Sequence, residues 1–186
     1  MSYPRIEIET ARLRLRTFVP AEDFDAMFRL WDMEEVTRYI RPGWKPTREH
    51  VENYFIRTQK RWDEQGFSHL AMTLREDGRL IGYCGFQYVE ETPNVELLYG
   101  MEPLYWNQGY VTEAARACLR FAYEQTELDR IIALSYPQNT GSWRVMEKVG
   151  MKYEGMVHFY NADLRCYAIT RALFEPGSAA YVFRRS

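Results

Sequence analysis

Residues 95–135 are predicted to form a strand, a helix and a second strand in direct succession, and this order limits the folds that the chain can adopt. Val95–Met101 is an apolar strand followed by Pro103, Tyr110–Gln125 has helical spacing, and Arg130–Ser135 is again apolar. Two strands joined through a helix of this length lie parallel, because the crossover returns the chain to the edge from which it started. A sheet with a parallel pair of strands, covered by a helix, is therefore expected.

Hairpin signals on either side of this unit make the sheet mixed. The predicted strands His69–Leu74 and Leu80–Val89 flank Asp77-Gly78, a dipeptide typical of hairpin turns. Near the C-terminus, two strands are divided by "HFYNAD": Lys152–Val157 and Leu164–Thr170. The other predicted elements are a strand at Leu13–Phe18 that Pro20 ends, and helices at Asp23–Trp31, Arg48–Gln65 (capped by Thr47, with His50 three positions on) and Thr140–Val149. The fold class is therefore α/β (mixed α+β), a mixed sheet covered by helices.

Length and composition favour one domain over residues 1–186. Hydrophobic residues make up 46% and charged residues 27% of the chain, close to the average for globular proteins. The net charge of −2 is too small to attract nucleic acid or an anionic membrane, and no stretch approaches the roughly 18 apolar residues of a membrane span. Three scattered cysteines fit buried thiols in a reducing compartment better than a disulfide framework or a metal site: Cys84, Cys118 and Cys166. We therefore expect a cytoplasmic protein that binds neither nucleic acid nor membrane.

The stretch "WNQGYVTEA", residues 106–114, places a bare glycine ahead of a helix. The predicted inner stripe of that helix is mostly small: Val111, Ala115, Cys118, Leu119 and Ala122. No conventional cap precedes the helix, so its first amide N–H groups lack partners. Such donors, at the positive end of the helix dipole, suit a phosphate or pyrophosphate. The alternative is that Gly109 only ends a loop and that Thr112 or Asn107 caps the helix.

A second stretch, "NTGSWRVMEKVGM" at residues 139–151, follows the strand Arg130–Ser135 and forms a short helix that Gly150 can end. Together, "ELLYGMEPLYWNQGYVTEA" and "NTGSWRVMEKVGMKYEG" resemble the Gcn5-related N-acetyltransferases, the GNAT superfamily. Within it they are most similar to the RimJ/RimL-like branch, which acetylates protein N-termini, including those of ribosomal proteins. The resemblance extends from "ETARLRLR" to "YAIT", and its specific part lies between Glu96 and Gly155. It implies a GNAT-like central mixed sheet, mostly antiparallel, that is splayed at the cofactor strand and flanked by helices on both faces.

The resemblance also implies that the chain binds acetyl-CoA as a cosubstrate. The pyrophosphate is expected on the glycine turn, formed by Gln108, Gly109, Tyr110, Val111 and Thr112. The pantetheine arm is expected along the backbone of the preceding strand, at Tyr99, Gly100 and Met101, with Asn139 as a further contact. The turn departs from the family pattern at Trp106, Asn107 and Val111. Because backbone amides hold the phosphates, we expect the turn to keep binding acetyl-CoA but to tolerate further substitutions less well.

The departing CoA thiolate needs a proton, and here the chain departs from the family again. Many members carry a tyrosine in the last helix for this purpose, and the matching residue is Met146, which has no proton to donate. Ser142 occupies a position where the protein-N-terminus branch carries a serine proposed for this role. Ser142 is therefore the candidate proton donor. The alternative is a first-turn hydroxyl that satisfies a backbone amide.

The acceptor amine must be neutral to attack the thioester, so a base has to take its proton. Glu96 is the leading candidate, acting directly or through water, and its alternative is a solvated carboxylate at a strand end. His158 and Asp163, on the last hairpin, are the other candidates, although a lone histidine is more often structural. No histidine–carboxylate relay or paired nucleophile is evident, so direct attack without an acyl-enzyme is expected. The candidate catalytic residues are thus Glu96, Asn139 and Ser142.

A weak base suits an acceptor of low pKa. An α-amine has a pKa near 8 and a lysine side chain a pKa near 10.4, which favours the N-terminus of a protein or peptide as acceptor. Residues 21–65, where the family builds its acceptor cleft, carry ten acidic and eight basic residues, too small an excess for a polycationic acceptor. Trp31, Tyr39 and Trp44 could line an acceptor pocket or belong to the core or to a dimer contact.

A small-molecule amine, such as an antibiotic, a polyamine or an amino acid, is the alternative acceptor. A non-catalytic acyl-CoA-binding module is the alternative from another class, because the missing tyrosine and the irregular glycine turn would suit it. The chain is expected to act as a monomer or a homodimer.

Overall fold

The crossover predicted for residues 95–135 is the centre of a nine-stranded sheet in the computed structural model, which describes residues 6–89 and 92–186. The strands are β1 (Ile6–Glu9), β2 (Leu13–Arg16), β3 (His69–Leu74), β4 (Leu80–Tyr88), β5 (Val95–Met101), β6 (Arg130–Ser135), β7 (Lys152–Phe159), β8 (Ala162–Thr170) and β9 (Val182–Arg185). The helices are α1 (Pro20–Asp32), α2 (Glu34–Thr37), α3 (Arg48–Gln65), α4 (Tyr110–Gln125) and α5 (Thr140–Lys148). Two short 3-10 helices lie at Pro103–Tyr105 and Arg171–Leu173. The strand order is β7-β8-β6-β5-β4-β3-β2-β1-β9.

The strands β5 and β6 form the predicted parallel pair, and the other neighbouring strands of the described sheet pair antiparallel. The register between β5 and β6 covers two residue pairs, Val95 with Ile131 and Glu96 with Ile132, although both strands continue. On the outer sides of this pair, β4 stays hydrogen-bonded to β5 as far as Met101, and β8 stays hydrogen-bonded to β6 as far as Ser135. The two halves of the sheet therefore diverge after Glu96 and leave a gap between β5 and β6.

Helices cover both faces of the sheet, as predicted. The helices α4 and α5 pack into one core cluster, which includes Leu97 of β5. The helices α1 and α3 pack into a second cluster, against which Leu98 of β5 lies. Consecutive residues of a strand point to opposite faces, so the two clusters lie on opposite sides of the sheet. The predicted stripe of α4 is buried in the first cluster at Ala115, Cys118, Leu119 and Ala122, and Val111 is partly buried.

Three local predictions are confirmed. Thr47 caps α3, because its hydroxyl accepts the His50 N–H and the His50 ring accepts the Thr47 N–H. The hairpin between β3 and β4 turns at Asp77-Gly78, and the three cysteines are buried free thiols. None of the helices within residues 6–89 and 92–186 combines the length and the hydropathy that a membrane crossing requires.

Several element boundaries differ from the prediction. The strand predicted over Leu13–Phe18 ends at Arg16, and Pro20 is the first residue of α1, which begins three residues earlier than predicted. Proline suits this position because the first helical N–H has no partner inside the helix. The helix α5 and the strand β4 each end one residue early, at Lys148 and Tyr88. The strands β1 and β9 and the helix α2 were not predicted, since each is only four residues long.

The last hairpin is longer than predicted. The strand β7 continues to Phe159 and β8 begins at Ala162, so the turn consists of Tyr160 and Asn161. Both turn residues have positive φ angles, 54° and 58°, as a tight type I′ hairpin turn requires. The segment "HFYNAD" contains no glycine, and an aromatic residue rarely adopts this conformation, so the sequence favoured a longer loop.

A buried ion pair joins α1 to β2. The side chain of Asp23 is 2% exposed, and its two oxygens accept hydrogen bonds from the guanidinium of Arg16 at 2.7 and 2.8 Å. The backbone N–H of Val19 donates to the same carboxylate at 2.8 Å. The pair therefore fixes the point at which α1 leaves the sheet.

We expect Asp23→Ala to lower the free energy of unfolding by about 3 kcal/mol, because it leaves the Arg16 guanidinium without its buried partner. Urea unfolding followed by circular dichroism measures the change. Asp25→Ala is a matched control, since Asp25 is an exposed residue of the same helix that lies 3.5 Å from Arg48. Its effect should stay below about 0.5 kcal/mol. Equal losses in the two variants would contradict the role assigned to the pair of Arg16 and Asp23.

Candidate functional site

The gap between β5 and β6 brings two helix N-termini to one edge of the sheet. The two strands run parallel, α4 follows β5, and α5 follows β6. Because the carboxyl ends of parallel strands meet at the same edge, Gly109 and Asn139 begin their helices on the same side of the gap. In open α/β sheets this edge is where ligands bind.

Gly109 is the N-cap residue of α4 and has a φ of 81°. No side chain caps this helix in the described part of the chain, and Glu113 N–H donates to the Gly109 carbonyl at 3.0 Å. A Cβ at position 109 would meet the Arg12 guanidinium at 3.5 Å and no other described atom within 4 Å. Glycine is thus required for its positive φ and not for packing. The predicted glycine start is confirmed, and the alternative cap by Thr112 or Asn107 is wrong.

Arg12, in the turn between β1 and β2, braces the glycine turn. Its Nη1 donates to the Gln108 carbonyl at 2.9 Å, and its Nε donates to the Glu113 carboxylate at 2.7 Å. The guanidinium also lies 4.1 Å from the ring centre of Tyr110. The sequence contained no signal for Arg12, because it lies far from Gly109 along the chain. The brace places a positive charge beside the uncapped amides.

A groove of about 360 Å³ begins at Gly109 and follows α4. Its lining on α4 recurs at helical spacing: Gly109, Thr112, Arg116 and Arg120, with Glu113 and Ala117 between them. Lys148 of α5, Pro176 and the run Ala179 to Tyr181 also line it. Three cations therefore face one carboxylate in the groove, which suits an anionic ligand.

The β5 residues expected along the cofactor arm, Tyr99, Gly100 and Met101, lie beyond the last pair with β6. On that side their backbone has no strand partner in the described sheet. Gly100 leaves room for the ring of Tyr83, since a Cβ there would lie 2.7 Å from a ring carbon. The Met101 carbonyl accepts the indole N–H of Trp106 at 2.8 Å. Trp106, which departs from the expected turn pattern, therefore braces the end of β5.

The first turn of α5 holds Asn139 and Ser142. Asn139 is the N-cap residue, and its Oδ1 accepts the Ser142 N–H at 3.4 Å. The Ser142 hydroxyl lies 3.2 Å from the Tyr99 hydroxyl and bonds no backbone amide within the described ranges, so the alternative role predicted for it is wrong. Met146 is buried in the core beneath α4 and α5. The residue that matches the family tyrosine is therefore a packing residue.

Glu96 is a buried carboxylate, so the alternative of a solvated strand end is wrong. Glu96 is 6% exposed. Its Oε2 accepts hydrogen bonds from the Tyr160 hydroxyl at 2.8 Å and from the Gln87 side-chain amide at 3.5 Å. Arg61 of α3 donates in turn to the Gln87 oxygen at 3.2 Å. Burial raises the pKa of Glu96 to about 7, and the bonds from Tyr160 and Gln87 limit the rise. Glu96 can therefore exchange a proton near neutral pH.

The three residues around Glu96 were not predicted. Gln87 had a signal, because it becomes the cross-strand partner of Glu96 once β4 and β5 are paired. Arg61 and Tyr160 had none, since they come from α3 and from the distant β7–β8 turn. The positive φ of Tyr160 is a strained conformation for an aromatic residue, and such strain is concentrated at functional sites.

His158 and Asp163 form a pair that the sequence did not indicate. The His158 Nδ1 lies 2.8 Å from the Asp163 Oδ1, across the β7–β8 hairpin. Both residues were predicted as candidate bases but not as a pair, which forms because the longer strands make them cross-strand partners. Their side chains are 66% and 81% exposed, in contrast to Glu96. Within the described ranges, no group of three or more His, Cys, Asp and Glu side chains could hold a metal ion.

The three aromatic residues proposed for an acceptor pocket do not form one cluster, because Trp31 and Trp44 pack on each other and Tyr39 packs on Tyr136. Trp31 is buried in the cluster between α1 and α3, so the core alternative applies to it. Trp44 is half-buried and packs on Trp31 with the ring centres 5.2 Å apart. Tyr39 is half-buried, and its ring lies 6.1 Å from that of Tyr136, the residue after β6. Tyr39 therefore connects the region after α2 with the far side of the gap.

Comparison with known proteins gives consistent matches over most of the chain. The family model described as an acetyltransferase (GNAT) domain matches residues 12–152. YnaD, an uncharacterized N-acetyltransferase of Bacillus subtilis (strain 168), is 33% identical over 150 residues, which cover 81% of this chain and 85% of that protein. An acetyltransferase of the GNAT family from Bacillus anthracis has a TM-score of 0.76 at 31% identity, over 89% of this chain and 99% of that chain. RimL, a ribosomal protein α-N-acetyltransferase in complex with coenzyme A, has the same fold, with a TM-score of 0.74 at 14% identity over 87% and 95% of the two chains.

The raised pKa of Glu96 predicts a specific dependence of stability on pH. Between the ordinary pKa of 4.5 and the folded-state value of about 7, the unfolded chain ionises first, so wild-type stability falls as pH rises. Glu96→Gln removes this loss. We expect the variant to gain about 2 to 3 kcal/mol over wild type between pH 5 and pH 8, measured by urea unfolding. Glu52→Gln, on the exposed surface of α3, is the control and should show no such gain; an equal gain in both would contradict the titration of Glu96.

Proposed function

The chain belongs to the GNAT family of N-acetyltransferases, and from this premise we propose that it transfers an acetyl group from acetyl-CoA directly to the α-amino group of a protein or peptide N-terminus. The observation that carries the acceptor class is the buried carboxylate of Glu96, with its pKa of about 7. An α-ammonium group has a pKa near 8, about one unit above this base, whereas a lysine side chain lies more than three units above it. Glu96 is therefore matched to an α-amine at neutral pH.

We assign the acetyl-CoA site to the N-terminus of α4 and to the gap beside β5. GNAT acetyltransferases use acetyl-CoA, which supplies the acetyl group as a thioester. The amides from Gln108 to Thr112 would hold the pyrophosphate, supported by the helix dipole and by the nearby charge of Arg12. Tyr99 to Met101 and Asn139 would hold the arm. The cations Arg116 and Lys148 in the adjoining groove suit the phosphorylated end of the molecule.

The proposed base and the proposed proton donor approach the gap from opposite faces of the sheet. Glu96 and Tyr99 are separated by three positions on β5, so their side chains point to different faces. Tyr99 reaches Ser142 on the α5 side, whereas Glu96 meets Tyr160 and Gln87 on the other. Glu96 takes the proton of the amine, and Ser142 donates a proton to the departing thiolate. The separation keeps the two groups from exchanging a proton with each other.

The choice of a protein N-terminus also rests on the RimJ/RimL-like motifs and on the small net charge of residues 21–65. Tyr39 and Trp44 would form a wall of the acceptor pocket. A small-molecule amine of low pKa is compatible with the same base and is an outcome of the acceptor test below. The non-catalytic module is set aside because the matched family consists of acetyltransferases.

We further propose that residues 1–186 act as one domain, since the described sheet is continuous from β1 to β9.

Acetyl-CoA should stabilise the protein through the glycine turn. At about 100 times its Kd, it should add about 2.7 kcal/mol to the free energy of unfolding. We expect Gly109→Asp to abolish this gain, because a carboxylate would occupy the place of the phosphate. Thermal melting with and without acetyl-CoA measures the effect.

Gly109→Ala and Gly78→Asp separate charge from backbone strain. Gly109→Ala keeps the strain of a positive φ without the charge and should retain part of the gain. Gly78 has a similar φ of 77° with no described atom within 4 Å of an added Cβ, so Gly78→Asp should respond to acetyl-CoA as wild type does. Full protection of Gly109→Asp by acetyl-CoA would overturn the assignment of the pyrophosphate site.

Peptides with free N-termini should be better acceptors than the same peptides blocked at the N-terminus and carrying one lysine. We expect kcat/KM to differ by about tenfold or more, because the neutral fraction of the α-amine at pH 7 is larger by about two orders of magnitude. Thiol release from acetyl-CoA measures the rate. For the free peptides, kcat/KM should rise with pH through a group that titrates near 7, and Glu96→Gln should flatten this rise.

The two parts of this prediction are independent. Faster reaction of the blocked lysine peptides, or of small amines alone, would refute the proposed acceptor class. An unchanged rate and pH profile in Glu96→Gln would refute the proposed base and leave the acceptor class standing.

A further inference from the structure

The side chain of Tyr99 reaches from β5 to the first turn of α5. Its hydroxyl donates to the carbonyl oxygen of Ser142 at 2.9 Å and lies 3.2 Å from the Ser142 hydroxyl. These contacts connect the strand at the gap with the helix that carries the proposed proton donor. The resemblance to the family implied a role only for the backbone of Tyr99 and none for its side chain.

The geometry allows either hydroxyl group to donate a hydrogen bond to the other, but only one of them at a time. While the phenol hydrogen is donated to the Ser142 carbonyl, the phenol oxygen can accept the hydrogen of the Ser142 hydroxyl. Rotation of the phenol O–H redirects it to the Ser142 Oγ at 3.2 Å. Tyr99 can therefore hold the serine in one rotamer and also stabilise its oxygen when that oxygen loses a proton.

The hydrogen of the Tyr99 phenol has an acceptor within the protein. It is donated to the Ser142 carbonyl at 2.9 Å. Met146 supplies no hydroxyl, because it is an apolar side chain buried in the core. In the proposed function Ser142 is the donor, and the phenol, bonded to the Ser142 carbonyl and next to its hydroxyl, is the group that supports it.

We propose that Tyr99 is a positioning residue for acetyl transfer, acting on the Ser142 hydroxyl through the two contacts between these residues. The inference rests on the proposed function, in which Ser142 is the proton donor. The carbon–sulfur bond breaks with its electrons on sulfur, the proton of Ser142 Oγ passes to that sulfur, and the serine regains a proton from solvent. Tyr99 ends the cycle with its own hydrogen in place.

A double-mutant cycle of Tyr99→Phe and Ser142→Ala tests this role, with acetyl-CoA and the N-terminally free peptides as substrates. Tyr99→Phe should lower kcat about tenfold, the effect of one hydrogen bond, with an unchanged Kd for acetyl-CoA. Ser142→Ala should lower kcat about a hundredfold. The combined variant should be no slower than Ser142→Ala, because the phenol acts only through the serine.

Tyr123→Phe is the matched control for loss of a phenol. The Tyr123 hydroxyl donates to the Ile169 carbonyl at 2.9 Å, the same kind of bond, on the stretch of α4 away from Gly109. This variant should lose a similar amount of thermal stability with kcat unchanged. A tenfold loss from Tyr99→Phe in both serine backgrounds, or a loss confined to acetyl-CoA affinity, would overturn the positioning role and leave the proposed function intact. A normal kcat in Ser142→Ala would overturn the donor and, with it, this inference.

Discussion

The short register between β5 and β6 governs the rest of the site. Two residue pairs hold these parallel strands together, and beyond Glu96 each keeps only its outer neighbour, β4 or β8. The sheet can open in this way because each half retains an antiparallel partner and its helices. The backbone of β5 beyond the last pair then lacks a strand partner, and such groups need a ligand or water. The gap and the uncapped start of α4 thus both leave backbone groups without a partner in the sheet or the helix.

The proposed base at this gap, Glu96, is a carboxylate whose charged form is disfavoured by burial. Burial beside β4 raises the pKa of Glu96 to about 7, and the hydroxyl of Tyr160 keeps the pKa from rising further. The fold accepts two local costs for this arrangement, a buried carboxylate and a strained turn at Tyr160. The two residues concerned are in contact, because the Tyr160 hydroxyl donates to the Glu96 carboxylate. The strained turn of the last hairpin therefore supports the proposed base on β5.

Two departures from the family pattern, at Trp106 and Met146, have structural explanations. Trp106 braces the end of β5, and Arg12 places a guanidinium against the glycine turn from the other end of the chain. Met146 fills the core, while the phenol of Tyr99 comes from the strand to the same turn of α5. Since the proposed anion site consists of backbone amides, these side chains can differ without removing it.

The sequence by itself determined the features that depend on local preference. Alternating and helical hydrophobic patterns located β3 to β8 and the helices α1, α3, α4 and α5, and turn and cap residues such as Asp77, Gly78 and Thr47 set several of their ends. The glycine start of α4 and the crossover followed from the same local signals. Only the tertiary structure decided the short strands β1 and β9, the burial of Glu96, and the contacts of Arg12 with the glycine turn, of His158 with Asp163 and of Tyr99 with Ser142. Backbone propensity and hydrophobic period act over about ten residues, whereas burial and hydrogen-bond partners are set by segments that meet only when the sheet assembles.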